Sequence, residues 1–176
     1  MYTKKTIIGI NGSASQNSSN LALLKKIAEY GKADFELIII DDLADYPLFR
    51  TELTDENVPE KIITFRQLIE KADGVIVCTP EYVFSIPAGL KNILEWCVST
   101  TVFSDKPAGL ITASASGEKG HEELQLILKT IMAKFTPETT LLIQGIKGKM
   151  NRNGEITNSG TEKDVRQFVK AFTAIK

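Results

Sequence analysis

Residues that build metal and disulfide sites are scarce in this chain: its 176 residues include one histidine, two cysteines and one tryptophan. Cys78 lies inside an apolar run, and Cys97 falls at helical spacing after Leu90, Ile93 and Leu94, with no CxxC pair. Both read as buried thiols packing as small hydrophobes. With His121 the only imidazole and no cluster of acids around the cysteines, there is no ligand set of recognisable spacing, and no metal is expected. A surplus of one charge is missing too. Lysine and arginine number 21, aspartate and glutamate 22, and the net charge of −1 hides no long like-charge block. That excludes a nucleic-acid footprint and a polybasic membrane patch, leaving small molecules as the expected partners. The first apolar stretch, Ile7 to Ile10, is interrupted by Gly9 and is too short for a signal-peptide core or a membrane span, so a cytoplasmic protein is expected. Neither GxxxxGK[ST] nor GxGxxG occurs, which disfavours nucleoside triphosphates and ordinary dinucleotide sites. Asn11-Gly12-Ser13 and Asn17-Ser18-Ser19 match a glycosylation pattern but, without a secretory signal, read as loop residues with another task.

What is present is alternation. At 43% hydrophobic, the chain can bury one sizeable core and is too short for two ordinary domains, so residues 1–176 are expected to form one domain. Residues 5–10, 35–40, 74–78, 108–113 and 140–144 are apolar and β-branched and read as five strands. Between them run helical patterns: Leu24, Ile27 and Ala28 with Gly31 as a stop; Ile62, Phe65, Ile69 and Ala72; Leu90, Ile93, Leu94 and Cys97; Leu124 through Phe135; and Val165, Phe168, Val169 and Phe172. Residues 41–59 and 145–160 read as surface connections. Near-continuous apolar strands alternating with helices predict an α/β three-layer sandwich, a parallel sheet in the flavodoxin-like order 2-1-3-4-5 with helices on both faces.

In such a sheet a ligand sits beyond the carboxyl ends of the strands, where the strand order reverses. Three loops are candidates. Residues 11–20 hold seven serines or asparagines just ahead of a helix, where backbone N–H groups and the helix dipole attract an anion. A phosphate monoester fits there, with Ser13, Ser15, Ser18, Ser19 and Asn20 as donors, although one such residue would serve merely as an N-cap. The second loop, Pro80-Glu81-Tyr82-Val83-Phe84-Ser85, follows the most apolar strand. Tyr82 and Phe84 offer flat apolar surface, and Ser85 with Pro87 reads as a helix start. Glu81 has no partner carboxylate or histidine for acid–base work. The third loop, with Ser114, Ser116, Gly117 and Gly120, leaves room for a flat ligand; His121, opening a helix, reads as solvent-facing rather than catalytic.

Gly12-Ser13 with Ser18 and Asn20, then Pro80-Glu81-Tyr82 with Ser85, Pro87, Leu90-Lys91-Asn92 and Trp96, resemble the NADPH-dependent FMN reductase family. Pro47-Leu48-Phe49, and Ser116-Gly117 with Gly120, extend the likeness over roughly residues 5–135. The resemblance implies noncovalent FMN, with its phosphate in the first loop, its ring against the second and a ring edge near the third. It also implies a homodimer or homotetramer with the flavin near a subunit interface. NADPH or NADH would reduce the flavin, and a quinone, azo compound, free flavin, nitroaromatic or metal oxyanion would take the electrons in a ping-pong cycle. Three positions depart from the family pattern: Ser15 replaces a basic residue, Val83 an asparagine and His121 a glycine. Two other readings stay open, a flavodoxin-type electron carrier and a flavin-free binding or regulatory module of the same fold.

Overall fold

The fold was analysed in a computed structural model that describes residues 4–15 and 17–175. Met1, Tyr2, Thr3, Gln16 and Lys176 lie outside the described residues, and with them one position of the serine- and asparagine-rich loop. Five strands, β1 (Lys5–Asn11), β2 (Phe35–Ile40), β3 (Gly74–Thr79), β4 (Ala108–Ser114) and β5 (Thr140–Gln144), form one sheet in the order β2-β1-β3-β4-β5, every neighbouring pair parallel. The expected order is therefore the observed one. All six residues of β3 are buried, as a central strand covered on both faces demands. After β2 the chain crosses β1 to reach β3, with Ile7 opposite Gly74 and Asn11 opposite Cys78, so the strand order reverses between β1 and β3.

Five helices cover the sheet: α1 (Ser19–Gly31), α2 (Glu60–Lys71), α3 (Ala88–Glu95), α4 (Glu118–Thr130) and α5 (Ser159–Ala174). Because strand side chains alternate, each strand feeds two cores. Ile8, Ile10, Val75, Val77 and Leu110 pack with α2, α3 and α4, whereas Ile7, Ile76, Cys78, Ile111 and Ile143 pack with α1 and α5. Both thiols are buried, as their surroundings in sequence suggested. Burial pushes the Cys97 thiol up to about 12, with the Arg66 guanidinium pulling the other way, and raises Cys78 as well, so neither offers a thiolate.

The third and fourth helices differ from expectation at their boundaries, and Cys97 falls in the turn after α3 ends at Glu95. The fourth helix ends at Thr130, because Met132 turns left-handed at φ 64° and the chain then runs extended, Lys134 bridging Pro107 in parallel. Met132 and Phe135 are therefore not helical, and Met132 is exposed. The third helix begins at Ala88 with Pro87 as N-cap, and Ser85 caps nothing. α1 does end at Gly31.

Candidate functional site

The first loop leaves β1 through Gly12, whose backbone lies so near β3 that a Cβ there would sit 2.4 Å from Thr79 Oγ1 and 2.9 Å from a methyl carbon of Leu90. Only glycine lets the loop enter this close. Beyond it, hydrogen bonds run between near neighbours. Asn11 is buried, and its Oδ1 accepts from the Ser13 amide at 3.2 Å; Ser13 Oγ accepts from the Ser15 amide at 3.2 Å. Ser18 is the N-cap of α1, its Oγ accepting from the amides of Asn20 at 3.1 Å and Leu21 at 3.3 Å. Asn11 and Ser13 of the first sequon thus shape a turn, and Ser18 of the second a cap. The amides of Ala14, Asn17, Ser18 and Ser19 meet no acceptor among the described residues. Ser15 is exposed and Ser19 half-buried. Asn20 differs from its expected role. It is buried, donating from Nδ2 to the Ala113 carbonyl at 3.1 Å and accepting from Cys78 Sγ at 3.3 Å, so its side chain ties α1 to the sheet instead of facing the loop.

The second loop leaves β3 through buried Pro80 and closes on itself. Tyr82 and Ser85 exchange both backbone bonds, at 2.9 and 3.1 Å, around Val83 and Phe84 at φ 52° and 59°. Two consecutive left-handed residues make a type I′ turn, which favours Asn and Gly. Val83 is β-branched, an outlier for that backbone. The missing asparagine therefore matters here for conformation rather than for a lost side-chain hydrogen bond. The turn lifts Val83 and Phe84 to 94% and 78% exposure, and Tyr82 Oη lies 3.3 Å from Ser13 Oγ, joining this loop to the first.

Glu81 holds the second loop to the third. Gly117 precedes α4 at φ 91°, a conformation that favours glycine, and brings no side chain to cap the helix. Glu81 does so from 36 residues away: Oε1 accepts from the Gly117 amide at 3.2 Å and Oε2 from the Gly120 amide at 2.8 Å. The carboxylate meets the positive end of the α4 dipole. The Glu81 amide in turn donates to Ser114 Oγ at 3.2 Å. α4 answers with Glu123, whose Oε2 accepts from Ser85 Oγ at 2.5 Å and from the Ile86 amide at 3.0 Å. One carboxylate from the loop and one from the helix form a reciprocal clamp. Ser116 is exposed at its edge.

His121 is not solvent-facing. The ring is half-buried, with Nδ1 2.9 Å from Oγ1 of buried Thr112, and desolvation holds its pKa below the usual imidazole value. It sits within α4 and fastens that helix to β4, leaving the loop before it clear. Other motif residues also serve as scaffold. Asn92 Oδ1 accepts from the Phe49 amide at 2.7 Å, while Asn92 Nδ2 and Trp96 Nε1 both donate to the Pro47 carbonyl, at 3.0 and 2.8 Å. Glu123 and Thr112 were missed by sequence reasoning, since their partners are 38 and 9 residues away on other elements.

The donor set suits FMN. The first loop has hydroxyls, amides and no acid for a phosphate, while Tyr82, the apolar turn and small Ser116 and Gly117 offer surface for a flat ring. Among the described residues no cluster of His, Cys, Asp and Glu could hold a metal, and no helix is long and apolar enough to cross a membrane.

Comparison with known proteins agrees. The NADPH-dependent FMN reductase family model matches residues 6–147. The NADH:(hydroxy)cinnamate reductase subunit CrdA of Vibrio ruber is 30% identical over 172 residues, covering 94% of this chain and 84% of its own. A quinone reductase of Escherichia coli K12 is 28% identical over 180 residues, covering 98% and 95%. FerB, a flavoenzyme NAD(P)H:(acceptor) oxidoreductase from Paracoccus denitrificans, superposes with a TM-score of 0.81 at 26% identity, covering 97% and 96%. With all three loops inside the matched span, this chain belongs to the NADPH-dependent FMN reductase family, oxidoreductases that here take a flavodoxin-like fold.

Proposed function

We propose that the protein is an FMN-dependent oxidoreductase that passes electrons from NADH or NADPH to a small acceptor such as a quinone or azo compound. The observation that carries this reading is the joining of three loops into one hydrogen-bonded unit, through Ser13 with Tyr82 and through Glu81 with Ser114 and Gly117. Hydroxyls of Ser13, Ser15, Ser18 and Ser19 and the loop amides would hold the phosphate. Asn20 positions α1 for them through the Ala113 carbonyl. Pro80, Glu81, Tyr82, Val83, Phe84 and Ser85 would bear the ring, with Ser114, Ser116 and Gly117 at its edge. Bound FMN would supply the hydride acceptance and the release of electrons at one open face, a ping-pong cycle. The carboxylates of Glu81 and Glu123 are engaged in the clamp, so the protein orients and excludes water rather than moving protons. The near-neutral net charge of −1 favours this over an electron carrier. Exposed Val83 and Phe84 at the rim support a homodimer or homotetramer, which light scattering would size. Dependence on reduced nicotinamide suits the cytoplasm.

The test is binding of FMN followed by anaerobic bleaching with NADH or NADPH. Bleaching by either donor is the expected result. Tight binding without bleaching would point to a carrier, and no binding to a flavin-free module.

A further inference from the structure

A groove of about 860 Å³ lies beside the three loops rather than within them. Its walls are the first turns of α1 and the hairpin in which Met150 bridges Ile156, and its rim includes Asn17, Ser18 and Ser19 of the first loop. Charge is concentrated there although the chain as a whole is nearly neutral. Lys25, Lys147 and Arg152 line it and have no carboxylate partner among the described residues; Lys26 pairs with Glu29 at 2.9 Å. Leu21, Ala22 and Met150 add apolar surface between the cations. Cations beside an apolar floor suit a phosphate joined to a flat base.

We infer that this groove receives the adenosine monophosphate end of a cofactor. The inference rests on residues 11–20 holding the flavin phosphate. Asn17, Ser18 and Ser19 belong both to that loop and to the rim of the groove, so a second phosphate linked to the first, as in FAD, or carried by a separate donor beside it, would meet the groove's cations. Two sources share this chemistry: the adenylate of FAD, bound in place of FMN, and the adenylate of the nicotinamide donor lying over FMN.

The test begins with AMP alone, titrated into the protein and followed by backbone amide NMR. Saturable shifts at Asn151, Asn153 and Gly154 are expected, with affinity about tenfold weaker in the K147E/R152E variant, whose reversed charges repel the phosphate. No saturation up to about 10 mM, weaker than any useful cofactor contact, or equal affinity in the variant, would overturn the inference. FMN affinity should stay within about twofold in the variant, since the altered residues lie outside the loop. Failure of FMN to bind while AMP still saturates would sink the flavin reading alone. If the flavin supplies the adenylate, FAD binds more tightly than FMN and loses that advantage in the variant. If the donor supplies it, FAD has no advantage and the variant raises KM for NADH or NADPH at unchanged kcat. A variant that moves neither quantity overturns the assignment to a cofactor.

Discussion

The loops after β1 and β3 face one another across the reversal of strand order, yet they are held in opposite ways. The turn and cap of the loop after β1 are shaped by bonds between residues two or three apart, from Asn11 to Ser13, Ser13 to Ser15 and Ser18 to Asn20 and Leu21, with Ser13–Tyr82 and the Asn20 side chain as its distant ties. The loop after β3 is shaped from afar, by partners 33 to 39 residues away. The difference follows from what each backbone asks. Local Asx- and serine-type turns are low-energy conformations that a few side chains stabilise unaided. A type I′ turn on Val and Phe is unfavourable, each left-handed residue costing on the order of 1–3 kcal/mol, and persists only where surrounding contacts over-determine it. The clamp of Glu81 and Glu123 supplies those contacts.

Removing the clamp breaks the contrast most severely. Glu81→Ala deletes both bonds to the start of α4; charged hydrogen bonds contribute about 1.5–3 kcal/mol each, and because this carboxylate is only partly buried a combined loss at the low end, about 2–3 kcal/mol, is expected by denaturant unfolding. Adding Glu123→Ala should cost less than it does alone, because both carboxylates secure the same loop. Combined with Ser18→Ala instead, the losses should simply add. Additivity in the first pair, or strong coupling in the second, would show that the two loops are not held separately.

This contrast also governs what the sequence disclosed. Runs such as Gly74 to Cys78 are apolar because β3 is buried on both faces, so the strands, and with them the loops at their carboxyl ends, could be read directly. The cap at Ser18 was legible as one reading of a helix start, since its partners are its own neighbours. The turn of Asn20 toward Ala113, the use of Ser85 by Glu123 and the docking of His121 on Thr112 were not. Each depends on which element the fold brings alongside, and nothing in periodicity or spacing encodes that. The same holds for Val83, whose backbone conformation belongs to the turn and not to valine.

Ser18→Ala tests the locally held side. It removes the N-cap of α1, and the expected cost is about 1 kcal/mol, a fall in Tm of roughly 2–4 °C for a chain of this size. Amides of Asn20 and Leu21 should exchange faster while those of Gly117 and Gly120 are unchanged. Val83→Asn tests the other side in the opposite direction. Asparagine tolerates left-handed backbone, so a gain of up to about 1 kcal/mol is expected, read as a higher denaturation midpoint at constant slope. A loss would mean that Val83 contributes packing that outweighs its backbone cost.

The smallest effect separates the loops by pH. Burial lowers the folded pKa of His121 from the ordinary 6.5, so on acidification the unfolded chain takes up this proton before the native one does. Where the unfolded state binds more protons, stability rises with pH; the His121 contribution is therefore complete above about 6.5 and declines as pH falls toward the folded value. Because His121 fastens α4 to β4, and α4 carries the clamp, acid should loosen Gly117 and Gly120 before Asn20 and Leu21. His121→Gln removes the titration, and the difference in stability between pH 7 and pH 5 should be smaller in the variant. An unchanged difference would assign the acid sensitivity to the carboxylates instead, and the loop after β3 would then depend on Glu81 and Glu123 alone for its pH response.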